Sequence, residues 1–238
     1  MAQYDNLKTS LDTVRAKIAR HCEISGRPSS SVCLIAVTKT HPHEVISLLS
    51  QLGVGDVGES YVDEFKVKFP CFPAGDVRWH FIGHLYRKHT PKVVGKAELI
   101  HSVDSLRLAR KIDFTAGQLG VIQKILLQVN TSGEGTKQGF TPDSLKGTEF
   151  LKEFSLFENV EIKGLMTMAA FTLDEAIVRQ SFRLLRETRD KLTEMTTWKL
   201  SELSMGMTND YGIAIEEGAT MVRIGTGLLG HRNVKPKS

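Results

Sequence analysis

The sequence has few cysteines, no long apolar run and no signal-like N-terminus. Its three cysteines are odd in number and none forms a Cys-x-x-Cys pair, which argues against a disulfide framework or a zinc site and favours a reducing compartment. No apolar segment follows the first methionine, and no apolar run approaches the length needed to span a membrane. We therefore expect a cytoplasmic protein with no membrane partner.

A dense basic face is also missing. The net charge is only +4 at pH 7, and the lysines and arginines are scattered along the chain rather than grouped. Nucleic-acid-binding proteins concentrate positive charge on one face, so this distribution favours a small anionic ligand and no nucleic-acid partner. Of the 238 residues, 41% are apolar and 24% are charged, which is typical of a globular protein with one large domain or two smaller ones.

Short apolar segments alternate with segments of helical periodicity along most of the chain. An amphipathic helix is predicted at the start from the spacing of Leu7, Leu11, Val14, Ile18 and Cys22. Strands are then expected at residues 32–37, 54–57, 78–82, 99–103, 124–129, 160–166, 199–203 and 220–224. Helices are expected at residues 44–51, 105–114, 142–157, 178–192 and 209–217.

Strict alternation of strands and helices indicates a parallel sheet. The repeats fill the whole chain if that sheet closes on itself. We therefore predict a single (β/α)8 barrel domain of the TIM type over residues 1–238, with an extra N-terminal helix. An open, doubly wound sheet is the alternative, because periodicity alone does not show closure.

Two glycine-rich segments resemble nucleotide loops but lack what such loops need. Residues 225–230 fit the G-x-G-x-x-G pattern, yet a dinucleotide fold requires a further helix and strand with an acidic residue, and only eight residues follow. Residues 133–139 lack the residue order of a P-loop. His80 and His84 are four apart, but Gly83 between them argues against a zinc-binding helix. We therefore predict neither a dinucleotide site nor a metal site.

The backbone of two glycine-containing segments suggests a phosphate site instead. Gly225 and Thr226 follow the eighth predicted strand, and Ser204 and Gly206 follow the seventh. Glycines just after a strand expose N–H groups that can surround a phosphate, and barrels commonly bind phosphate at these two loops. Arg223 would add a delocalised positive charge beside both loops. The sequence therefore predicts a phosphorylated ligand.

Lys39 determines the expected chemistry. It follows the apolar segment 32–37 and one threonine, so it leaves the core at the C-terminal end of the first strand, the face on which barrel active sites lie. Partial burial and a nearby cation such as Arg223 would favour its neutral amine, which can attack an aldehyde. A reactive lysine opposite a phosphate-binding cup is what pyridoxal phosphate requires.

Eight short segments between residues 34 and 226 carry a family resemblance. They include Val-Gly-Glu-Ser-Tyr-Val-Asp-Glu at 57–64 and Leu-Ser-Met-Gly-Met-Thr-Asn-Asp at 203–210. The others lie at residues 34–40, 79–83, 101–105, 128–130, 163–166 and 221–226. Together they resemble the pyridoxal phosphate homeostasis protein family, whose barrel is similar to the N-terminal domain of alanine racemase.

The resemblance implies that pyridoxal 5′-phosphate is held as a Schiff base on Lys39. The other cofactor-binding residues expected from the matching segments are Ser204, Gly206, Met207, Arg223, Gly225, Thr226, Ser60 and His80. At two places the sequence departs from the family pattern, and the cofactor contacts there stay open. Ser60 stands where the family usually has asparagine, and residues 85–89 read Leu-Tyr-Arg-Lys-His where the family has Leu-Gln-x-Asn-Lys.

The resemblance also implies a role in buffering or delivering pyridoxal phosphate, with no established substrate or catalytic residue. We expect a monomeric carrier in vitamin B6 homeostasis, with apo forms of pyridoxal-phosphate enzymes as recipients. The alternative is an amino-acid racemase, which needs acid–base groups on both faces of the ring. In alanine racemases a tyrosine from a second domain serves the face opposite the lysine. We expect no such domain here, so the candidates for the acid–base group on the face opposite Lys39 are Tyr61, His80 and Tyr211. A phosphosugar aldolase would place its lysine on a later strand.

Overall fold

The computed structural model describes residues 2–73, 75–135 and 137–230. Eight strands form a closed barrel in sequence order, each parallel to the next, and β8 pairs with β1 to complete the ring. The strands are β1 Cys33–Val37, β2 Asp56–Glu59, β3 Arg78–Phe81, β4 Leu99–Val103, β5 Gln123–Gln128, β6 Val160–Met166, β7 Glu202–Ser204 and β8 Met221–Ile224. Closure confirms the predicted (β/α)8 barrel and excludes the open sheet.

Helices cover the outside of this barrel. They are α1 Ala2–Ile24, α2 Glu44–Gln51, α3 Val62–Lys68, α4 Thr90–Val93, α5 Leu106–Leu119, α6 Pro142–Leu145, α7 Thr148–Phe154, α8 Glu175–Met195, α9 Tyr211–Glu216 and α10 Thr226–Leu229. Short 3₁₀ turns occur at Ser29–Ser31, Phe69–Cys71 and Arg87–His89. Within the ranges given above, no helix is both long enough and apolar enough to cross a membrane.

The predicted boundaries differ from the observed ones where polar residues enter the core. β2, predicted at 54–57, begins and ends two residues later, because it continues past Val57 to the polar but fully buried Glu59, which an apolar pattern does not include. β7 is likewise shifted, to residues 202–204. The helix predicted at 142–157 is two helices, since the backbone at Gly147 is extended. Helix α3 was not predicted.

The N-terminal helix α1 packs against α9 and α10, which confirms the amphipathic helix predicted at the start of the chain. The five residues that predicted it are all buried, namely Leu7, Leu11, Val14, Ile18 and Cys22. The imidazole Nδ1 of His21 lies 2.7 Å from Glu216 Oε1 on α9. Arg27, just after the helix, donates to the carbonyl oxygens of Ile215 and Ala219. The helix is thus attached by both apolar contacts and hydrogen bonds.

The two faces of the strands have different surroundings. On β8, Val222 and Ile224 belong to the apolar layer between barrel and helices, whereas Met221 packs with a small separate cluster of Leu99, Leu126 and Met166. Successive side chains of a strand point to opposite faces, so this small cluster fills part of the barrel interior. The rest of the interior contains buried polar side chains, namely Asp56, His80, His101, Ser204 and Arg223.

Candidate functional site

The backbone on both sides of Lys39 is fixed by hydrogen bonds to the next barrel unit. Thr38 is fully buried, its N–H donates to Gly58 O at 3.0 Å and its hydroxyl donates to Glu59 Oε1 at 2.7 Å. Thr40 has a left-handed backbone (φ 65°), and its N–H donates to Glu64 Oε2 at 2.7 Å. Lys39 lies between these two threonines and is half-buried. Its position at the end of β1 is therefore well defined.

A buried lysine connects these contacts. Lys68 Nζ, at the end of α3, lies 2.8 Å from both Glu59 Oε1 and Glu64 Oε2 and donates to the carbonyl oxygen of Thr38 at 2.9 Å. Lys68 is 5% exposed and Glu59 is fully buried. Burial raises the pKa of Glu59, although hydrogen bonds from Lys68 and Thr38 act in the opposite direction. We call Lys68, Glu59, Glu64, Thr38 and Thr40 the lysine clamp.

Next to β1 on its other side, away from β2, the loops after β7 and β8 touch each other. The hydroxyls of Thr226 and Thr208 are 3.2 Å apart, and the N–H of Gly227 donates to the Thr208 hydroxyl at 3.1 Å. Met207, which is 40% exposed, donates its N–H to Asp210 Oδ1 at 2.6 Å. The two segments that predicted a phosphate site thus lie together, as expected from their places in a barrel.

Two glycines in these loops differ in the space around them. Gly206 has φ +92°, and a Cβ there would lie 2.6 Å from Ala214 Cβ, so packing against α9 demands a glycine. At Gly225 a Cβ would meet nothing closer than Val37 Cβ at 3.5 Å, an ordinary contact. The protein itself therefore leaves room for a methyl group at Gly225 but not at Gly206.

Ser204 and Arg223 lie inside the barrel beneath these loops. Arg223 is 5% exposed and donates from Nη1 to Ser204 Oγ at 2.6 Å and from Nη2 to the carbonyl oxygen of Thr167 at 3.0 Å. Burial lowers the pKa of Arg223 to about 10, partly offset by Asp210, so the guanidinium stays charged at neutral pH. Because Arg223 pairs with Ile35 on β1, it lies deeper in the barrel than Lys39.

His80 is also an interior residue, and both of its ring nitrogens are occupied. Nε2 lies 3.0 Å from Asp56 Oδ1, and Nδ1 lies 2.9 Å from His101 Nε2. His84 has a different partner, Asp104 Oδ2 at 3.3 Å, so the two histidines do not share a ligand. Across the described ranges there is no group of three or more histidine, cysteine or acidic side chains suited to a metal ion.

The remaining predicted contacts lie at the loop after β2 and the loop after β3. Ser60 is half-buried just after β2, and a Cβ at Gly83 would collide with its carbonyl oxygen, so the two loops pass very close to each other. In the departing segment 85–89, Leu85 is buried and Tyr86 is 60% exposed with its ring 4.4 Å from that of His84. The cofactor contact of Ser60 stays a prediction, as do those of the other site residues.

Sequence reasoning missed the residues that support the site from within. They are Glu59, Glu64 and Lys68 in the lysine clamp, and Asp56, His101 and Thr167 in the barrel interior. The sequence does contain a signal for some of them, because an acidic residue inside a buried strand must have hydrogen-bond or ion-pair partners. Asp56 on β2 is an example. Burial alone would raise its pKa, but hydrogen bonds from His80 and Arg78 bring the pKa well below its usual range.

Comparison with known proteins gives consistent likenesses in sequence and structure. The profile of the family described as "Alanine racemase, N-terminal domain" matches residues 9–233. A pyridoxal phosphate homeostasis protein of Aquifex aeolicus is 41% identical over 223 residues, which are 93% of this chain and 96% of the relative. A second, from Synechocystis, is 37% identical over 213 residues, 89% of this chain and 97% of the relative.

Solved structures show the same fold. PipY of Synechococcus elongatus, determined with pyridoxal phosphate bound, is 35% identical and superimposes with a TM-score of 0.78 over 90% of this chain and 100% of PipY. Alanine racemase of Clostridium difficile is 20% identical, with a TM-score of 0.75 over 97% of this chain and 58% of the racemase. At that identity the racemase supports the barrel fold alone.

Proposed function

This chain belongs to the pyridoxal phosphate homeostasis protein family, and on that premise we propose that it binds pyridoxal 5′-phosphate through Lys39 and serves vitamin B6 homeostasis. The observation that carries the proposal is the mouth of the barrel. There a lysine whose flanking residues are held by the lysine clamp lies at the end of β1, and two touching glycine loops follow β7 and β8. PipY, a relative of the same fold whose whole length matches 90% of this chain, was solved with pyridoxal phosphate bound.

The residues present fit the chemistry of this cofactor. When bound, pyridoxal phosphate supplies an aldehyde that a lysine amine can attack with loss of water. Lys39 would provide that amine. The backbone N–H groups of Gly206, Gly225 and Thr226 would receive the phosphate, whereas that of Met207 would first have to leave Asp210 Oδ1. A Cβ at Gly225 would meet only ordinary contacts, so the space beside this glycine is not needed for packing.

Arg223 would act from beneath these loops. Its side chain has donors only, two of which are engaged by Ser204 and Thr167, so any ligand atom it meets must be an acceptor. A phosphate oxygen and an unprotonated ring nitrogen both satisfy this condition. Ser204 would act through Arg223, because its hydroxyl oxygen already accepts from the guanidinium.

We propose carriage rather than turnover because two of the three candidates for a second acid–base group, Tyr211 and His80, are buried and already in contact with other side chains. Tyr211 is 4% exposed, and Lys17 of α1 lies 4.7 Å from its ring centre. His80 has both ring nitrogens occupied within the barrel. Of the three candidates Tyr61 alone is substantially exposed, at 49%. Since each general acid or base contributes about 10²–10⁴-fold, a site lacking one would support slow side reactions at most.

The wider setting follows from the same proposal. We propose that residues 1–238 act as one pyridoxal-phosphate-binding barrel, monomeric and cytoplasmic, and that apo enzymes receive the cofactor from it. An amino-acid racemase is the alternative function, and it would use the same lysine. Incubation of the loaded protein with L- and D-amino acids separates the two. Steady racemisation near a typical kcat of about 10 s⁻¹ would refute carriage.

The direct test is covalent trapping. Purified protein mixed with pyridoxal phosphate and reduced with borohydride should carry one pyridoxyl group, and peptide mapping should locate it on Lys39. A modification found mainly on another lysine would refute the site. Transfer of the unreduced cofactor to an apo enzyme, faster than its release into buffer allows, would support the homeostasis role.

A further inference from the structure

An unbroken series of side-chain hydrogen bonds crosses the barrel interior. It starts at Asp56 on β2, passes through His80 on β3, His101 on β4 and Ser204 on β7, and ends at Arg223 on β8. The successive distances are 3.0 Å, 2.9 Å, 2.8 Å and 2.6 Å. We call these five residues the interior relay. The first four are at most 8% exposed and Arg223 is 5% exposed, so bulk water does not compete for these bonds.

The two ends of the relay fix its direction. A guanidinium has donors only, and an ionised carboxylate has acceptors only. Arg223 must therefore donate to Ser204, and Asp56 must accept from His80. Each group in between, when neutral, has one donor position and one acceptor position within the series. All the bonds then run in one sense, from Arg223 through Ser204, His101 and His80 to Asp56.

This direction specifies the proton positions on both imidazoles. His80 carries its proton on Nε2, facing Asp56, and accepts on Nδ1. His101 carries its proton on Nε2, facing His80, and accepts on Nδ1 from the hydroxyl of Ser204. A neutral His101 agrees with its setting, because burial and the neighbouring His80 and Arg223 place its pKa well below the usual value.

We propose that His80 and His101 are positioning residues that keep the Ser204 hydroxyl proton turned towards His101, so that the Ser204 oxygen accepts from Arg223 and holds the guanidinium beneath the mouth. Thr167 O holds the second nitrogen, Nη2. The two imidazoles thus determine which edge of Arg223 remains for a ligand. The ligand part of this inference rests on the function proposed above, whereas the proton positions can be measured without any ligand.

One additional proton would reverse the relay. If His80 became doubly protonated, its Nδ1–H would donate to His101, whose own proton would move to Nδ1 and point at Ser204. The Ser204 oxygen would then accept from both His101 and Arg223, and its hydroxyl proton would have to turn away. The other ionisable groups against the relay are Arg78 and Cys33 at Asp56 and Asp210 at Arg223. Burial raises the pKa of Cys33 to about 12, so it stays a neutral thiol.

The first experiment records imidazole nitrogen resonances of ligand-free protein labelled with ¹⁵N-histidine at neutral pH. We expect Nε2 of both His80 and His101 to bear the proton and Nδ1 of both to be bare, with assignments made from single variants of each. A doubly protonated His80, or a proton on Nδ1 of His101, would overturn the proposed direction. This result does not depend on whether pyridoxal phosphate binds.

The second experiment compares two substitutions of His101. In His101→Asn the amide oxygen can occupy the place of Nδ1 and still accept from Ser204. In His101→Gln the amide reaches the place of Nε2 and leaves Ser204 without its acceptor. Titration with pyridoxal phosphate should show about tenfold weaker binding for the glutamine variant, the scale of one lost hydrogen bond. The asparagine variant should recover most of that loss.

A double-variant comparison separates positioning from packing. In a Ser204→Ala background the two His101 variants should bind pyridoxal phosphate equally, because the link they influence is gone. Equal losses in the presence of Ser204 would mean that His101 acts only by filling space, and would refute positioning. If wild-type protein fails to bind pyridoxal phosphate at all, the proposed function fails while the ¹⁵N result still tests the relay.

Discussion

At the β1–β2 side of the barrel mouth, charged side chains hold the backbone around Lys39, whereas at the β7–β8 side the loops meet through two threonines and a glycine. Lys68 and its two glutamates are tied to Thr38 and Thr40 by bonds of 2.7–2.9 Å. Thr208 links the other two loops with bonds of 3.1 and 3.2 Å. One side uses buried charge, and the other uses small side chains and backbone.

This difference predicts different consequences of mutation. A buried ion pair is costly to break, because removing one partner leaves the other charge without compensation. The glycine loops have few side-chain contacts that stabilise the fold, but an added methyl group there changes the space for a ligand. Substitutions in the lysine clamp should therefore affect mainly folding stability, while substitutions in the loops should affect mainly binding.

The largest effect is expected at Lys39 itself. Lys39→Ala removes the amine, so borohydride should trap no pyridoxyl group at this site. The fold should persist, because one half-buried side chain at the mouth is not part of the core. The loops after β7 and β8 are unchanged, so the cofactor should still bind reversibly as the free aldehyde. Mass spectrometry and equilibrium dialysis measure the two parts, with Lys66→Ala, an exposed lysine on α3, as the control.

The next largest effect is expected at Lys68. Lys68→Met leaves Glu59 buried without its cation, and we expect the free energy of unfolding to fall by about 3 kcal/mol near neutral pH. Lys66→Met, two residues away and exposed, is the matched control and should change stability little. Denaturant unfolding measures both. Adding Glu59→Gln to Lys68→Met should restore part of the loss, because the unpaired charge is then gone.

The same variant should respond to pH. Burial raises the pKa of Glu59 in the folded protein above the reference value of 4.5, and loss of Lys68 should raise it further. Between 4.5 and the raised value the folded state binds more protons than the unfolded state, so stability decreases as pH rises through that window. The deficit of Lys68→Met should therefore be smaller at pH 5 than at pH 8. An equal deficit at both values would show that Glu59 does not carry the effect.

Comparing the two sides also shows how far the sequence predicts the site. Lys39, Gly206, Gly225 and Thr226 follow apolar strands, and they could be proposed from the sequence because a lysine can supply an amine and the other three can form a phosphate cup. Lys68 could not, because a lysine at a helix end normally lies in solvent. Its burial depends on Glu59, and on how α3 packs against the strand that carries it, which is tertiary information.

A smaller effect is expected from a matched pair of loop glycines. Gly206→Ala should lower stability by about 2 kcal/mol, because its methyl would lie 2.6 Å from Ala214 Cβ on a backbone with φ +92°. Gly225→Ala should change stability by less than about 0.5 kcal/mol. Gly225→Ala should weaken the binding of pyridoxal phosphate about tenfold, because the added methyl would narrow the phosphate cup. Its effect on the binding of unphosphorylated pyridoxal should be smaller.

Thermal unfolding and parallel titrations test the pair. Equal losses of affinity for both ligands would mean that Gly225 is not part of the phosphate site.

The smallest effect is expected at Thr40, where the lysine clamp holds a threonine in the left-handed region at φ 65°. Asparagine tolerates this conformation better than a β-branched residue does, so Thr40→Asn should stabilise the fold by about 0.5 kcal/mol. Thr40→Gly relieves the same strain, but glycine's extra freedom in the unfolded chain opposes the gain by about 0.5–1 kcal/mol, so its stability should barely change. Both variants keep the N–H that bonds Glu64.

The same two variants test whether a rigid turn positions Lys39. In that case the rate of cofactor capture should fall about two- to threefold for Thr40→Gly and stay constant for Thr40→Asn. Identical rates for both variants and the wild type would show that the clamp stabilises the fold without positioning the lysine.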